Sequence, residues 1–277
     1  MGTTVAGDGT FRMTGLAPGD YKLSVRTTVD IGGTAVQEGA GVQITVAGVD
    51  IDNLALITSS GWSVTGALYT ASGDPVPAAV RAGARVVPRP LSSDGIPMGP
   101  NPTSTPDNGR VTETATFTVT GVYGPARLRV NLPDDWAVQS IQLDGRDITD
   151  ETIEARSGET LGNVQVVINN KINVVSGRVT DAKGAATGNG AVIVFAEDAG
   201  RWLEDSRYVR SARPDQQGTF QIKGLPAGEY LAVALEYVED GAWNDPEYLD
   251  SIRPYGQRVK LLDSGSQAIA LELISPQ

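Results

Sequence analysis

A chain of 277 residues with no histidine and no cysteine has few ways to do chemistry near neutral pH. The imidazole that usually serves as general base is missing, as are thiolate nucleophiles, Ser-His and Cys-His pairs, disulfides and Cys-ligated zinc. Carboxylate chemistry is what remains. Two acidic clusters stand out, Asp144, Asp147, Asp150 and Glu151 in one and Glu239, Asp240, Asp245 and Glu247 in the other. Either offers the oxygen ligands that Ca²⁺ takes, but neither has the spacing of an EF-hand loop, and acidic side chains at strand ends are ordinarily solvated. The expectation is therefore no cofactor and no metal, with Ca²⁺ the one candidate to check. A glycosidase would need two carboxylates held about 5 to 10 Å apart, and nothing in the sequence fixes such a pair. No Gly-x-Ser-x-Gly elbow, phosphate loop or dinucleotide fingerprint occurs. No catalytic residue is expected, and the chain reads as a non-enzyme.

Aromatic side chains are the other carriers of specific recognition. Trp62, Trp136, Trp202 and Trp243 either stack on a ligand or plug sandwich ends and junctions, where each buries a large area. Trp202 and Trp243 sit in polar, loop-like segments beside Arg201 and Tyr248, so Trp202, Trp243 and Tyr248 form the candidate binding set for a carbohydrate or peptide.

Whatever these residues do, strands must position them. One stretch is written twice: Asp8 to Val25, with Gly9-Thr10-Phe11, Gly15-Leu16-Ala17-Pro18-Gly19 and Tyr21, returns as Gln217 to Ala234, with Gly218-Thr219-Phe220, Gly224-Leu225-Pro226-Ala227-Gly228 and Tyr230. A degraded third copy spans Ala115 to Val130, with Phe117 in the place of Phe11 and Phe220. Each copy reads as a strand, a glycine-bounded turn and a second strand. The chain holds 33 Gly and 16 Pro and no long apolar run at helical spacing, so the fold class is all-β.

The openings Trp62 to Tyr69 and Val174 to Asp181 match, with Gly66 and Gly177 in equivalent places, and a domain is expected to start at each. Three segments follow: a partial sandwich over 1–58, a sandwich over 59–170 and a seven-stranded sandwich over 171–277. Strands of the last are expected near 173–180, 190–198, 206–213, 218–224, 229–238, 256–262 and 266–274. In the first, the strand pair is followed by strands at 41–46 and 52–57, four in all. The proline-rich stretch from Pro88 to Pro106, within a loop over 88–108, is expected to be a loop and not a strand, because proline gives a ladder no N–H.

The 22 basic and 33 acidic side chains leave a net charge of −11, which repels phosphate backbones and anionic lipid surfaces, so nucleic acid is not an expected partner. No run approaches the ~18 apolar residues of a membrane helix, so membrane insertion is not expected. Met1 to Gly7 carries neither a basic nor an apolar secretion-signal region.

Gly177-Arg178-Val179-Thr180-Asp181, then Gly218-Thr219-Phe220, then Gly224-Leu225-Pro226-Ala227-Gly228-Glu229-Tyr230 resemble the carboxypeptidase regulatory-like domain, a transthyretin-like (prealbumin-like) β-sandwich. Leu143 to Asp150 and Trp243 to Leu249 resemble segments of large bacterial exported proteins built from such domains. The resemblance covers the third segment fully, the second with a long insertion and the latter half of the first. It implies tandem Ig-like or prealbumin-like antiparallel β-sandwiches, the first one incomplete, in a non-catalytic extracellular, cell-surface or periplasmic protein.

The incomplete first segment sharpens this expectation. Strands without partners expose apolar faces and unpaired backbone edges. Its motif residues Phe11, Met13, Leu16, Tyr21, Leu23 and Val25 are thus the candidate assembly segment. They would be completed by a neighbouring domain of a longer chain or by strand donation from an identical subunit, head to tail.

Overall fold

Val, Thr and Ile alternate with polar residues through most of the chain, and the backbone follows that period of two. The computed structural model describes residues 2–90, 107–203 and 205–275, and among them sixteen strands and two short helices carry the fold. The all-β expectation holds.

β1 (Gly19–Ile31) and β2 (Thr34–Val46) form a two-stranded antiparallel ribbon. β3 (Trp62–Thr70), β5 (Thr116–Val122), β7 (Ala137–Leu143), β8 (Arg146–Asp147) and β9 (Thr160–Asn169) make a sheet in the order β5-β3-β9-β7-β8. A second ribbon pairs β4 (Arg85–Pro90) with β6 (Ala126–Asn131), and α1 (Ala78–Gly83) precedes it. The remaining strands are β10 (Val174–Thr180), β11 (Ala191–Ala196), β12 (Val209–Ala212), β13 (Thr219–Lys223), β14 (Gly228–Leu235), β15 (Gln257–Leu261) and β16 (Ser266–Ile274), with α2 (Pro246–Ile252) between β14 and β15. Sheet membership thus changes between 46 and 62 and between 169 and 174. By contact density the chain groups into two compact units: Met1–Ala67 with Arg85–Asn131 and Gln142–Gln165, and Leu68–Ala84 with Leu132–Ile141 and Val166–Gln277.

In the second unit β13-β10-β16 and β12-β11-β14-β15 are the two layers of a sandwich, bridged where β16 also pairs with β14. Val175, Val179, Phe220, Ile222 and Leu271 from the first layer meet Val192, Val194, Tyr230, Ala232 and Val259 from the second. The outer face of β11 and β14 is covered as well, since Ile193, Phe195, Leu231 and Val233 pack under Trp202, Leu249 and Ile252. That double burial is why β11 reads Ala-Val-Ile-Val-Phe-Ala with no polar alternation. The sandwich is not purely antiparallel: β16, the last strand, runs parallel to β10, the first, and to β14.

Three further expectations change. Pro88 and Pro90 lie in β4, opposite Leu128 and Ala126. The Val86 amide on the same side of the strand donates to the Gly109 carbonyl (2.7 Å), so the N–H groups that proline lacks belong to the edge turned away from β6, and the ladder loses nothing. The rest of the expected loop, 91–106, lies outside the described residues. The polar passage around Trp243 to Tyr248 is helical: Pro246 opens α2 at its first position, and the Asp245 carboxylate caps it by accepting from the Glu247 amide (2.9 Å).

The third change is in the first segment. Residues 10–14 and 52–57, expected as strands, form none. Their counterparts β13 and β16 are strands because β10 lies between them and takes hydrogen bonds from both. Among residues 2–58 nothing occupies that place. The strands that do form there are longer than expected and pair with each other around Gly32-Gly33, whose φ of +63° and +84° suit a two-residue hairpin turn.

Candidate functional site

The repeated motif builds the same local backbone in both units. Gly9 donates to the Ala6 carbonyl as Gly218 does to that of Asp215, at 2.9 and 2.8 Å. Gly15 and Gly224 turn the chain with φ of +74° and +79°. The Tyr21 hydroxyl donates to the Ala17 carbonyl and the Tyr230 hydroxyl to that of Pro226, both at 2.8 Å. Gly19 faces Val46 across the ribbon as Gly228 faces Leu261.

The surroundings differ. Phe220, Ile222, Leu225, Tyr230, Ala232 and Ala234 are all buried in the sandwich core. Phe11, Met13, Leu16, Tyr21, Leu23 and Val25 at the matching positions are only half-buried. On the ribbon, Tyr21, Leu23 and Val25 stand opposite Ile44, Val42 and Ala40, so one face of β1 and β2 is a continuous apolar surface. Residues 9–16 run along one side of this surface and residues 49–54 along the other, leaving a groove of about 720 Å³ floored by Leu23, Ile44 and Val46. Large apolar side chains remain in water there, with Val49 72% and Ile51 43% exposed. Farther along, Leu54-Ala55-Leu56-Ile57 repeats Leu271-Glu272-Leu273-Ile274, yet Ile57 is 88% exposed whereas Ile274 packs against the outer core. Of the six candidate assembly residues, Phe11, Met13, Leu16 and Leu23 line this groove, while Tyr21 and Val25 lie on the same ribbon without lining it.

The candidate binding set is placed differently. Trp202 is 4% exposed and its indole N–H donates to the Ala196 carbonyl (2.7 Å). Its ring meets Phe195 edge-on at 5.6 Å, and Arg253 lies 5.7 Å over it. It is a core residue, in line with the plugging alternative of the sequence reading. Trp243 and Tyr248 are half-buried against the same cluster, and burial raises the pKa of the Tyr248 hydroxyl. Trp62 is also core, 1% exposed, with its indole N–H donating to Gly124 (3.0 Å).

Neither acidic cluster converges. Asp147 accepts from the amide and hydroxyl of Thr149, Glu151 pairs with Arg146, and Asp150 lies 3.9 Å from Arg129. Asp240 faces Arg213 at 3.5 Å while Asp245 caps α2. Among the described residues no group of three or more acidic side chains is arranged to hold a metal ion.

Other hollows lie elsewhere among the described residues. One of about 870 Å³ beside Trp62 is walled largely by small residues and backbone, and its Glu159 is already taken by the Arg156 amide (3.0 Å). Another of about 360 Å³ holds both signs of charge, with Arg201 3.5 Å from Asp198 and stacked 4.3 Å over Tyr208. Below it the buried Tyr230 hydroxyl has a pKa pushed well above the usual phenol value, mainly by burial. No helix among the described residues is long and apolar enough to cross a membrane.

No family model matches the chain, and no curated protein does. The carboxypeptidase regulatory-like resemblance thus rests on its motif alone. Solved structures to which the chain is similar include the Bacillus anthracis TIE protein, at 12% identity over 93% of this chain and 43% of that one with a TM-score of 0.25. A streptococcal ancillary pilin is 13% identical over 94% and 75%, TM-score 0.29, and the minor pilin of Streptococcus agalactiae 10% identical over 78% and 97%, TM-score 0.28. The chain spans less than half the length of the first of these, and TM-scores of this size assign neither family nor function.

Proposed function

We propose that the chain is a non-catalytic structural part of an exported or cell-surface protein, an array of β-sandwich modules joined head to tail. In this reading the groove over β1 and β2 is a socket for a strand from a neighbouring module, which takes the place that β10 holds beside β13 and β16. The carrying observation is the contrast between six buried motif residues in the second unit and their six half-buried counterparts, four of which line the groove. An apolar face and two unpaired backbone walls in water are unfavourable, and strand addition satisfies both at once. The absence of His and Cys and the spent acidic clusters favour structure over catalysis. The net charge of −11 favours protein over nucleic acid as partner.

The test is the mass of the full chain by light scattering over a range of concentrations, with Leu23→Asp as control. The reading expects association that the aspartate weakens by at least tenfold. A monomer at every concentration whose residues 9–16 are nonetheless protected from hydrogen exchange would overturn it.

A further inference from the structure

The two filled slots of this chain describe what the open one takes. In one, β3 lies between β5 and β9 and sets Gly66 opposite Phe117; in the other, β10 lies between β13 and β16 and sets Gly177 opposite Phe220. Both phenylalanines are 2% exposed. A Cβ at Gly66 would land on the Val164 carbonyl oxygen and come within 2.8 Å of the Phe117 ring. A Cβ at Gly177 would land on the Ile269 carbonyl oxygen and come within 3.0 Å of the Phe220 ring. Glycine is therefore required by close approach on both sides: a neighbouring backbone at one flank and an aromatic ring over the top. Two residues to either side the pattern is again shared, since Val64 and Leu68, like Val175 and Val179, are buried apolar residues on the core face.

We infer that the first slot is selective for an extended segment of a neighbouring module with the pattern apolar-x-Gly-x-apolar, seated antiparallel to residues 10–14 with its glycine opposite Phe11. This rests on the socket reading above and adds the register and chemistry of the occupant. Phe11 stands in its copy of the motif where Phe117 and Phe220 stand in theirs, half-buried for want of the glycine strand that covers the other two. The Leu54 to Ile57 segment supplies the opposite wall, as the like-sequenced Leu271 to Ile274 does in β16. Among the described strands β3 and β10 carry the pattern on a core face, and both are already seated in their own sheets.

A fluorescent peptide of residues 173–181 titrated into the full chain, at a concentration where light scattering gives a monomer, tests this directly. Binding is expected, with hydrogen exchange slowed at residues 10–14 and 51–57, and the same peptide carrying Gly177→Val is expected to bind at least tenfold more weakly. Equal binding of both peptides overturns the glycine register while leaving the socket intact. If neither peptide slows exchange, or if the peptide-free monomer is already protected at 10–14, the socket and the pattern both fall.

Discussion

Phe11 and Phe220 occupy the same place in two copies of one motif, yet Phe220 is 2% exposed and Phe11 is half-buried. The two copies share their turn hydrogen bonds, glycine conformations and tyrosine contact. The motif's local sequence is therefore sufficient for its backbone, and insufficient for its core. Burial comes from the strands that cover the copy, β10 beside its first strand and β11 beside its second, and no residue described within 2–58 supplies either. Regular structure follows the same rule, because residues 219–223 are a strand and residues 10–14, with nearly the same sequence, are not.

The difference can be broken in order of expected size. Phe220→Ala should cost the second unit about 3 to 5 kcal/mol by emptying a packed core site, while Phe11→Ala should cost about 1 kcal/mol or less; urea unfolding of both variants reads the gap. Gly177→Val should cost about 1 to 3 kcal/mol or more in the same assay, since the added atoms meet backbone that cannot withdraw.

Tyr230→Phe removes a hydrogen bond to Pro226 worth about 1 kcal/mol. It also carries a pH signature. Burial raises the folded-state pKa of Tyr230 above the ordinary 10.0, so its contribution is fully present below pH 10 and is lost as pH rises beyond it, where the unfolded chain ionises and the folded one resists. The wild type should lose stability above pH 10 more steeply than Tyr230→Phe. The smallest effect is at the turn before Phe11, where the Asp8 carboxylate accepts from the amide and hydroxyl of Thr10 and its pKa lies below 3.8. That turn keeps its support above pH 3.8 and loses it as pH falls through the depressed value, so slowed exchange of the Thr10 amide should vanish in acid, and in Asp8→Ala at any pH.

Much of this was legible in the residues. All seven strands of the third segment fall where alternation and turn residues put them. The misses have physical causes. Trp202 sits among polar neighbours, but polarity along the chain does not report the outer face of β11 that its ring covers. The Asn244-Asp245-Pro246-Glu247 run is an N-cap with proline at the first helical position, a signal for α2 that a loop reading passes over. Gly32-Gly33 between alternating Val and Thr likewise marks the hairpin tip that makes β1 and β2 thirteen residues each. Pro88 and Pro90 escaped because a proline rule applied residue by residue ignores which edge of a strand is unpaired. The empty slot was legible only as a displacement; its glycine pattern needed the register of Gly66 and Gly177.

The central claim is that the two motif copies differ in whether neighbouring strands cover them, and amide hydrogen exchange on the monomeric full chain tests it most directly. Residues 219–225 should exchange slowly, at the rate set by unfolding of their unit, and residues 10–16 should exchange orders of magnitude faster, close to unstructured peptide. Equal protection of the two copies in the monomer would contradict the account.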